Sequence, residues 1–241
     1  MSREVTEDFE ELKKFLEEYK LEKVFQKIEI TEELKKTHKK YFSLLTLISE
    51  LESVIDNKSF DPKLTKSQFS YLVESSSDIG TAIFHSVNGS YKSARMLLRS
   101  SIETFFKGYC AEDIEGILTE KRIFAIFDSI KKLDYFKQET QKALLNTCLD
   151  EYSELCKDIH TASIANMQNL TALKYFPSYE KSKMYDISER IIKLIPIFLF
   201  FTCNKFNPQY QNMHHRNKEN ILLSIRKNLR PIILSNVDKL N

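Results

Sequence analysis

The sequence predicts an all-α protein, folded as an antiparallel bundle of about seven to eight helices. Its 241 residues include only four glycines, five prolines and no tryptophan. Because glycine and proline mark hairpins and tight turns, their scarcity indicates few connections and long helices. Apolar residues also recur three and four positions apart along most of the chain, which is the period of an amphipathic helix. A chain of this length can bury a sizeable core.

The N-terminal quarter predicts two helices that form an antiparallel hairpin or a cap over residues 1–60. The first is expected over residues 6–27, with phenylalanine and leucine on one side and lysine and glutamate on the other. The second is expected over residues 31–56, where a threonine suited to capping precedes an apolar stripe. Residues 57–62 are predicted to be a linker.

Residues 61–205 are predicted to form the main helical bundle. Its first two helices are expected over residues 65–87 and 90–110, separated by a turn at Gly89. One sector of the second helix carries small residues, which let a neighbouring helix approach closely. The residues of this sector are Ser93, Ser100, Ser101, Thr104 and Gly108.

The rest of the chain is predicted to continue with helices of unequal length. Pro196 is expected to kink the longest of them, and a break near Asp150 is left open. A polar stretch without periodicity is where a loop beside a functional cleft would be expected. In chain order these are a looser segment at 111–119, helices at 120–133 and 137–160, the polar loop at 161–179, and helices at 181–204 and 214–230.

Positive charge is concentrated at the C-terminus, although the net charge is only +2. Residues 1–60 carry 11 basic and 14 acidic side chains, whereas residues 205–241 carry seven and two. Residues 206–241 are therefore predicted to form a basic C-terminal helix packed on the bundle. Such a concentration of cations indicates either a surface that binds a polyanion such as RNA or an ordinary solvated helix face. The candidate RNA-binding residues are Lys157, Arg216, Lys218 and Arg226.

No metal or cofactor is expected. The four cysteines are scattered in apolar helical contexts, without a CxxC pair or a histidine at zinc spacing. His38 lies among lysines on a predicted polar face, and no GxGxxG, P-loop, GxSxG or HExxH motif is present. The acidic, amphipathic N-terminus argues against a secretory signal, and the densest apolar run, residues 194–201, is much shorter than the roughly 20 residues that span a bilayer. A cytoplasmic protein with no membrane segment is predicted.

A line of charges crosses the predicted helix at residues 90–110. Arg95, Arg99, Glu103 and Lys107 recur every fourth residue, and Arg95 projects into the apolar arc of the helix. An unpartnered guanidinium is costly there, so Arg95 needs a carboxylate, a phosphate or a wet cleft.

Three interpretations of these charges stay open. Arg99 and Glu103 have the spacing of an ordinary surface ion pair, worth a few tenths of a kcal/mol. Alternatively, Arg95 and Arg99 are phosphate clamps that Glu103 orients. In the third interpretation, Glu103 neutralises a buried arginine across two helices and sets their register.

His160 ends a helical segment just before the polar loop. With an unperturbed pKa near 6.5, a histidine at a cleft margin can act as a general acid or base around neutral pH. The alternative is a boundary residue that caps carbonyl groups at a helix end.

Two segments of the chain resemble the HEPN-like helical proteins of prokaryotic defence and toxin–antitoxin systems. The first has the pattern Ala-x-x-x-Leu-Arg-x-x-Ile-Glu, and the second the pattern Tyr-x-x-Leu-x-x-x-Ile-His. The matching residues are Ala94, Leu98, Arg99, Ile102 and Glu103 in the first, and Tyr152, Leu155, Ile159 and His160 in the second. The resemblance covers roughly residues 65–205.

The resemblance implies an antiparallel helical bundle, often dimeric, whose active members are metal-independent ribonucleases. Their usual motif is an arginine separated from a histidine by four to six residues, but Ser153, Glu154 and Leu155 occupy those positions here. Arg95 or Arg99 would therefore have to supply the cation, with His160 deprotonating a ribose 2′-hydroxyl.

Two classes of function follow from these observations. One is an endoribonuclease of an anti-phage or toxin–antitoxin system, with RNA as substrate and a regulator from the same system as partner. The other is a non-catalytic helical module that binds a partner protein or a nucleic acid. A homodimer is also expected, because Phe105, Phe106 and the segment 198–201 are more aromatic than one small bundle needs.

Overall fold

The computed structural model describes residues 3–18, 21, 28–56, 64–159 and 177–235, and these residues form helices and no strand. The predicted all-α fold is confirmed. The described residues contain eleven α-helices rather than seven or eight, because several are a few turns or less in length. They are α1 (Arg3–Glu18), α2 (Ile28–Asp56), α3 (Lys66–Asn88), α4 (Tyr91–Tyr109), α5 (Ile123–Ile130), α6 (Asp134–Lys137), α7 (Glu139–Ile159), α8 (Lys181–Lys205), α9 (Asn207–Asn212), α10 (His215–Ser224) and α11 (Arg230–Ser235).

Helix α8 runs through the middle of the molecule. Every residue from 194 to 203 is buried, and the helix contacts α2, α3, α4, α7 and all three helices that follow it. A helical segment that is apolar on nearly all sides, as residues 194–203 are, has to be enclosed by other helices, which explains this position. Pro196 lies inside α8 without ending it.

Helices α3 and α4 form a tight hairpin around the turn at Gly89. The Cβ atom of an alanine at Gly108 would lie 2.5 Å from Tyr71 Cβ and 3.1 Å from the Gln68 carbonyl oxygen. The Ser75 hydroxyl donates a 2.8 Å hydrogen bond to the Ser101 carbonyl across the same contact. The close approach predicted from the small residues of α4 is therefore confirmed.

The phenylalanines that predicted a dimer are used inside the chain. The rings of Phe105 and Phe198 stack at 4.0 Å with an interplanar angle of 4°, and Phe106 and Phe201 lie edge to face at 6.0 Å. All four are almost fully buried. These four rings offer no surface to a second copy, so the dimer stays a prediction without this support.

Several predicted boundaries are wrong. The single C-terminal helix at 214–230 is divided, because the backbone at Ile225 is extended (φ −80°, ψ 145°) and α10 ends at Ser224. The extended conformation carries Ile225 into the core, and the guanidinium of Arg230 donates 3.0 Å hydrogen bonds to the carbonyls of Leu223 and Ile225. Helix α7 is continuous through Asp150.

The N-terminal helix is also shorter than predicted. Helix α1 ends at Glu18, and Leu21, the next described residue, is buried and outside a helix. Most of the predicted loop at 161–179 lies outside the described residues. Buried apolar side chains from α1 to α11 form a continuous core among the residues that are described. No helix in the described ranges is long and apolar enough to cross a bilayer.

Candidate functional site

The charged line of α4 faces α7 and α8. The Arg95 side chain is 16% exposed, and its guanidinium donates to the carboxylate of Asp186 on α8. It also donates a 3.2 Å hydrogen bond to the Glu154 carbonyl on α7. Arg95 therefore has the carboxylate that its place in an apolar arc requires, and it joins three helices.

Asp186 belongs to a wider ion-pair network. Arg190 Nε lies 3.0 Å and Nη2 2.9 Å from Asp186 Oδ1, and Arg190 Nη1 reaches Glu151 on α7. Lys193 also donates to Glu151, whose side chain is only 7% exposed. We call Arg95, Asp186, Arg190, Glu151 and Lys193 the arginine network. Two carboxylates and three cations alternate in it, so each charge has an opposite neighbour.

Arg99 and Glu103 form a second group with Tyr152 of α7. Arg99 Nη2 lies 3.1 Å from Glu103 Oε1, and the Tyr152 hydroxyl donates a 2.7 Å hydrogen bond to the same oxygen. The Arg99 guanidinium also lies over the Tyr152 ring, 5.0 Å from its centre. Burial, followed by the bond to Glu103, raises the pKa of Tyr152 above its usual value, so the hydroxyl stays a donor.

These contacts bear on two of the three interpretations of the charged line. Arg99 and Glu103 do form the ordinary pair within α4, with side chains 29% and 27% exposed. The carboxylate that neutralises the more buried Arg95 across helices is Asp186, so the third interpretation is correct in kind but wrong in naming Glu103. The phosphate-clamp interpretation stays a prediction.

The two segments that carry the HEPN-like pattern are in direct contact. Glu103 from the first bonds to Tyr152 from the second, and Arg95 bonds to the Glu154 carbonyl two residues later. Both contacts fall in the C-terminal half of α7. His160 follows the last residue of α7 and lies outside the described residues, so its role stays a prediction.

The candidate RNA-binding residues differ in how freely they are exposed. Lys157, near the end of α7, is half exposed and lies 2.6 Å from Glu154 Oε1. On α10, Arg216 is exposed and 3.9 Å from Glu4 Oε1, whereas the Lys218 ammonium donates a 2.8 Å hydrogen bond to the Gln211 carbonyl. Arg226 is exposed just after α10. Lys218 thus caps a backbone carbonyl group, and of the four residues it is the least available to bind a phosphate.

Sequence reasoning identified Arg95 but missed the other four residues of the arginine network. Asp186, Arg190 and Lys193 follow one another at intervals of four and three, which places them in one stripe of α8. That spacing is the signal that could have drawn attention to them. Glu151 has no comparable signal, since only tertiary packing shows that it meets two of these cations.

His38 is not where the sequence suggested. It lies beneath α1 and is 4% exposed, between the rings of Phe9 and Phe42 at centroid distances of 5.5 and 6.5 Å. Burial lowers its pKa below the usual value despite the nearby carboxylate of Asp8. Lysines on the same helix turn outward, but the position of His38 belongs to the buried face of α2.

Three of the four cysteines lie in the core. Cys110, Cys148 and Cys203 are buried as free thiols, and burial raises the pKa of Cys110 to about 12. Within the described ranges no three His, Cys, Asp or Glu side chains cluster as metal ligands would. Comparison of the chain with protein-family models, with curated proteins and with solved structures gives no match.

Proposed function

We propose that the chain is a HEPN-like protein of a prokaryotic anti-phage defence or toxin–antitoxin system, and that it cleaves RNA without a metal. The observation that supports this proposal is the hydrogen bond of 2.7 Å between Tyr152 and Glu103. It joins the two segments whose patterns resemble the family, although they are about 50 residues apart. The site would lie where α4 meets the end of α7.

The two arginines of this region would have different roles. The Arg95 guanidinium is committed to Asp186 and to a backbone carbonyl, so it would hold the end of α7 in place. Arg99 is more exposed, and Glu103 and the Tyr152 ring orient it. Arg99 is therefore the better candidate for stabilising the charge that develops on a scissile phosphate.

In the proposed reaction, His160 takes the proton of a ribose 2′-hydroxyl as the 2′-oxygen attacks the adjacent phosphorus. The bond from phosphorus to the 5′-oxygen breaks, and a proton from water completes the leaving hydroxyl. The products are a 2′,3′-cyclic phosphate and a 5′-hydroxyl end. Glu103 keeps the guanidinium of Arg99 directed toward the phosphate.

A second candidate function is a non-catalytic module that binds a protein or a nucleic acid. The specific observation in its favour is the arginine network, in which Arg95, Arg190 and Lys193 are already paired with carboxylates. Because these cations already have carboxylate partners without a ligand, the packing of α4, α7 and α8 is enough to explain the network.

The test is incubation of the purified protein with total RNA in the presence of EDTA. We expect cleavage by the wild type and its loss in His160→Ala. The matched control is His215→Ala, because His215 is exposed at the start of α10. Cleavage should persist in that variant. Intact RNA with the wild type, or equal cleavage by His160→Ala, would reject the nuclease and leave the binding module.

A further inference from the structure

A small cavity of about 290 Å³ lies between α1, α2 and α3, apart from the region discussed above. Most of its wall is aliphatic or aromatic, and its polar lining comes from Asp8 and Glu11 of α1 and His38 and Tyr41 of α2. The apolar lining residues are Leu12, Leu45, Ile83, Phe84 and Val87. An apolar cavity with a few convergent polar groups is the usual form of a small-molecule site.

Gly80 of α3 gives this cavity one of its walls. A Cβ atom at this position would lie 2.2 Å from Tyr41 Oη and 2.8 Å from Tyr41 Cζ. Glycine in a helix interior costs about 1 kcal/mol relative to alanine, yet only glycine lets the phenol lie against α3. The cavity is therefore bounded by a close helix contact and not by loose packing.

The charge at the cavity comes mainly from Asp8. Its carboxylate is 43% exposed, and Oδ2 lies 2.8 Å from Nε2 of the buried His38. That nitrogen has no aligned hydrogen-bond partner, and burial lowers the pKa of His38, so the imidazole is neutral at pH 7. Glu11, in contrast, is paired with Lys14 at 2.6 Å. Asp8 thus faces a neutral ring rather than a cation.

We propose that this cavity binds a small organic cation with an apolar body, such as an ammonium group attached to an aromatic ring. The ring would lie among Ile83, Phe84 and Val87, and the ammonium group would bind the Asp8 carboxylate. An anion would meet two carboxylates, and a neutral molecule would gain no ionic attraction from Asp8. A volume of about 290 Å³ has room for one ring and a short chain, so the occupant is a small molecule and not a folded partner. This proposal is independent of the proposed nuclease function.

The probe is 2-phenylethylammonium, titrated into the full-length protein at pH 7 and followed by nuclear magnetic resonance. The matched neutral probe is 2-phenylethanol, which has nearly the same shape without the charge. We expect saturable binding of the ammonium compound and about fivefold weaker binding of the alcohol, as a partly exposed ion pair contributes about 1 kcal/mol. No saturation with the ammonium compound, or equal binding of both, would overturn the proposal.

Three variants locate the binding. Asp8→Asn should weaken binding of the ammonium compound about fivefold and leave binding of the alcohol unchanged. Glu17→Gln is its control, because Glu17 is an exposed carboxylate on α1 that does not line the cavity. Leu45→Trp, at a partly exposed wall position, should fill the cavity and abolish binding of both probes in a protein that keeps its helical circular dichroism. Unchanged binding in Asp8→Asn or in Leu45→Trp would also overturn the proposal.

Discussion

Arg95 shows how a single charged residue can lie in an apolar arc of a helix. Burial of a guanidinium removes it from water, and the fold compensates with the Asp186 carboxylate and the Glu154 carbonyl. Asp186 is in turn shared with Arg190. Removal of a carboxylate would therefore take a partner from two cations at once, and the cost should depend on how deeply that carboxylate is buried.

Glu151→Gln tests this dependence on burial. The Glu151 side chain is 7% exposed and accepts from Arg190 and Lys193, so we expect the variant to lose about 3 kcal/mol of unfolding free energy. Glu154→Gln, the same change on the same helix, affects a half-exposed pair with Lys157 and should cost at most about 0.5 kcal/mol. Urea denaturation measures both, and equal losses would show that burial does not decide the contribution of the network.

His38 predicts how stability depends on pH. Its folded pKa is lowered from the unfolded value of about 6.5 because the ring is buried, so the unfolded chain binds a proton more readily in acid. The contribution of neutral His38 to the unfolding free energy is complete above the unfolded-state pKa of about 6.5. It is lost as the pH falls through that value toward the lower pKa of the folded state.

We therefore expect the unfolding free energy to fall less between pH 7 and pH 5.5 in His38→Phe than in the wild type. The phenylalanine ring keeps the apolar contacts with Phe9 and Phe42 and cannot be protonated. His215→Ala, which removes an exposed histidine, should keep the wild-type dependence. An identical slope in His38→Phe and the wild type would disprove the role of His38.

At the scale of elements, the hairpin of α3 and α4 shows why helix propensity alone does not decide which residue occupies a position in a helix. Gly108 lies within α4, where alanine would favour the helix by about 1 kcal/mol. The neighbouring helix is so close that a methyl group at this position meets Tyr71 and the Gln68 backbone. Packing between the two helices therefore outweighs the local preference of one.

Gly108→Ala should accordingly destabilise the protein. The added Cβ atom would force α3 and α4 apart, and we expect a net loss of about 2 kcal/mol of unfolding free energy in spite of the better helix propensity. Met96→Ala, at an exposed position of the same helix, should change stability by about 0.5 kcal/mol or less. A thermal or urea transition measures both. A stabilised Gly108→Ala protein would mean that the helices separate at little cost.

At the scale of the whole molecule, α8 connects the helices at both ends of the chain. It contacts α2, which precedes the hairpin, and α10 and α11, which follow α9. The hydroxyl of Ser43 on α2 also bonds to that of Ser224 on α10 at 2.6 Å. Apolar side chains from α1 to α11 share one core among the described residues, so no helix group in that part of the chain has an apolar core of its own.

A single cooperative unfolding transition is the expected consequence. Far-ultraviolet circular dichroism reports all helices, and the absorbance of the 11 tyrosines reports their burial, so both should give the same urea midpoint. Two separate midpoints would show instead that the predicted segments 1–60, 61–205 and 206–241 unfold as independent units.

The sequence by itself determined the helical class, the approximate positions of the long helices, the small-residue face of α4 and the need of Arg95 for a counter-charge. All of these depend on periodicity and on the burial of nearby side chains, which a single segment reveals. Tertiary structure alone decided that the counter-charge is Asp186, that His38 lies beneath α1, that Ile225 interrupts the last helix and that the phenylalanines fill the core. Each of these outcomes depends on which distant helix becomes a neighbour, and one helix's own periodicity does not contain that information.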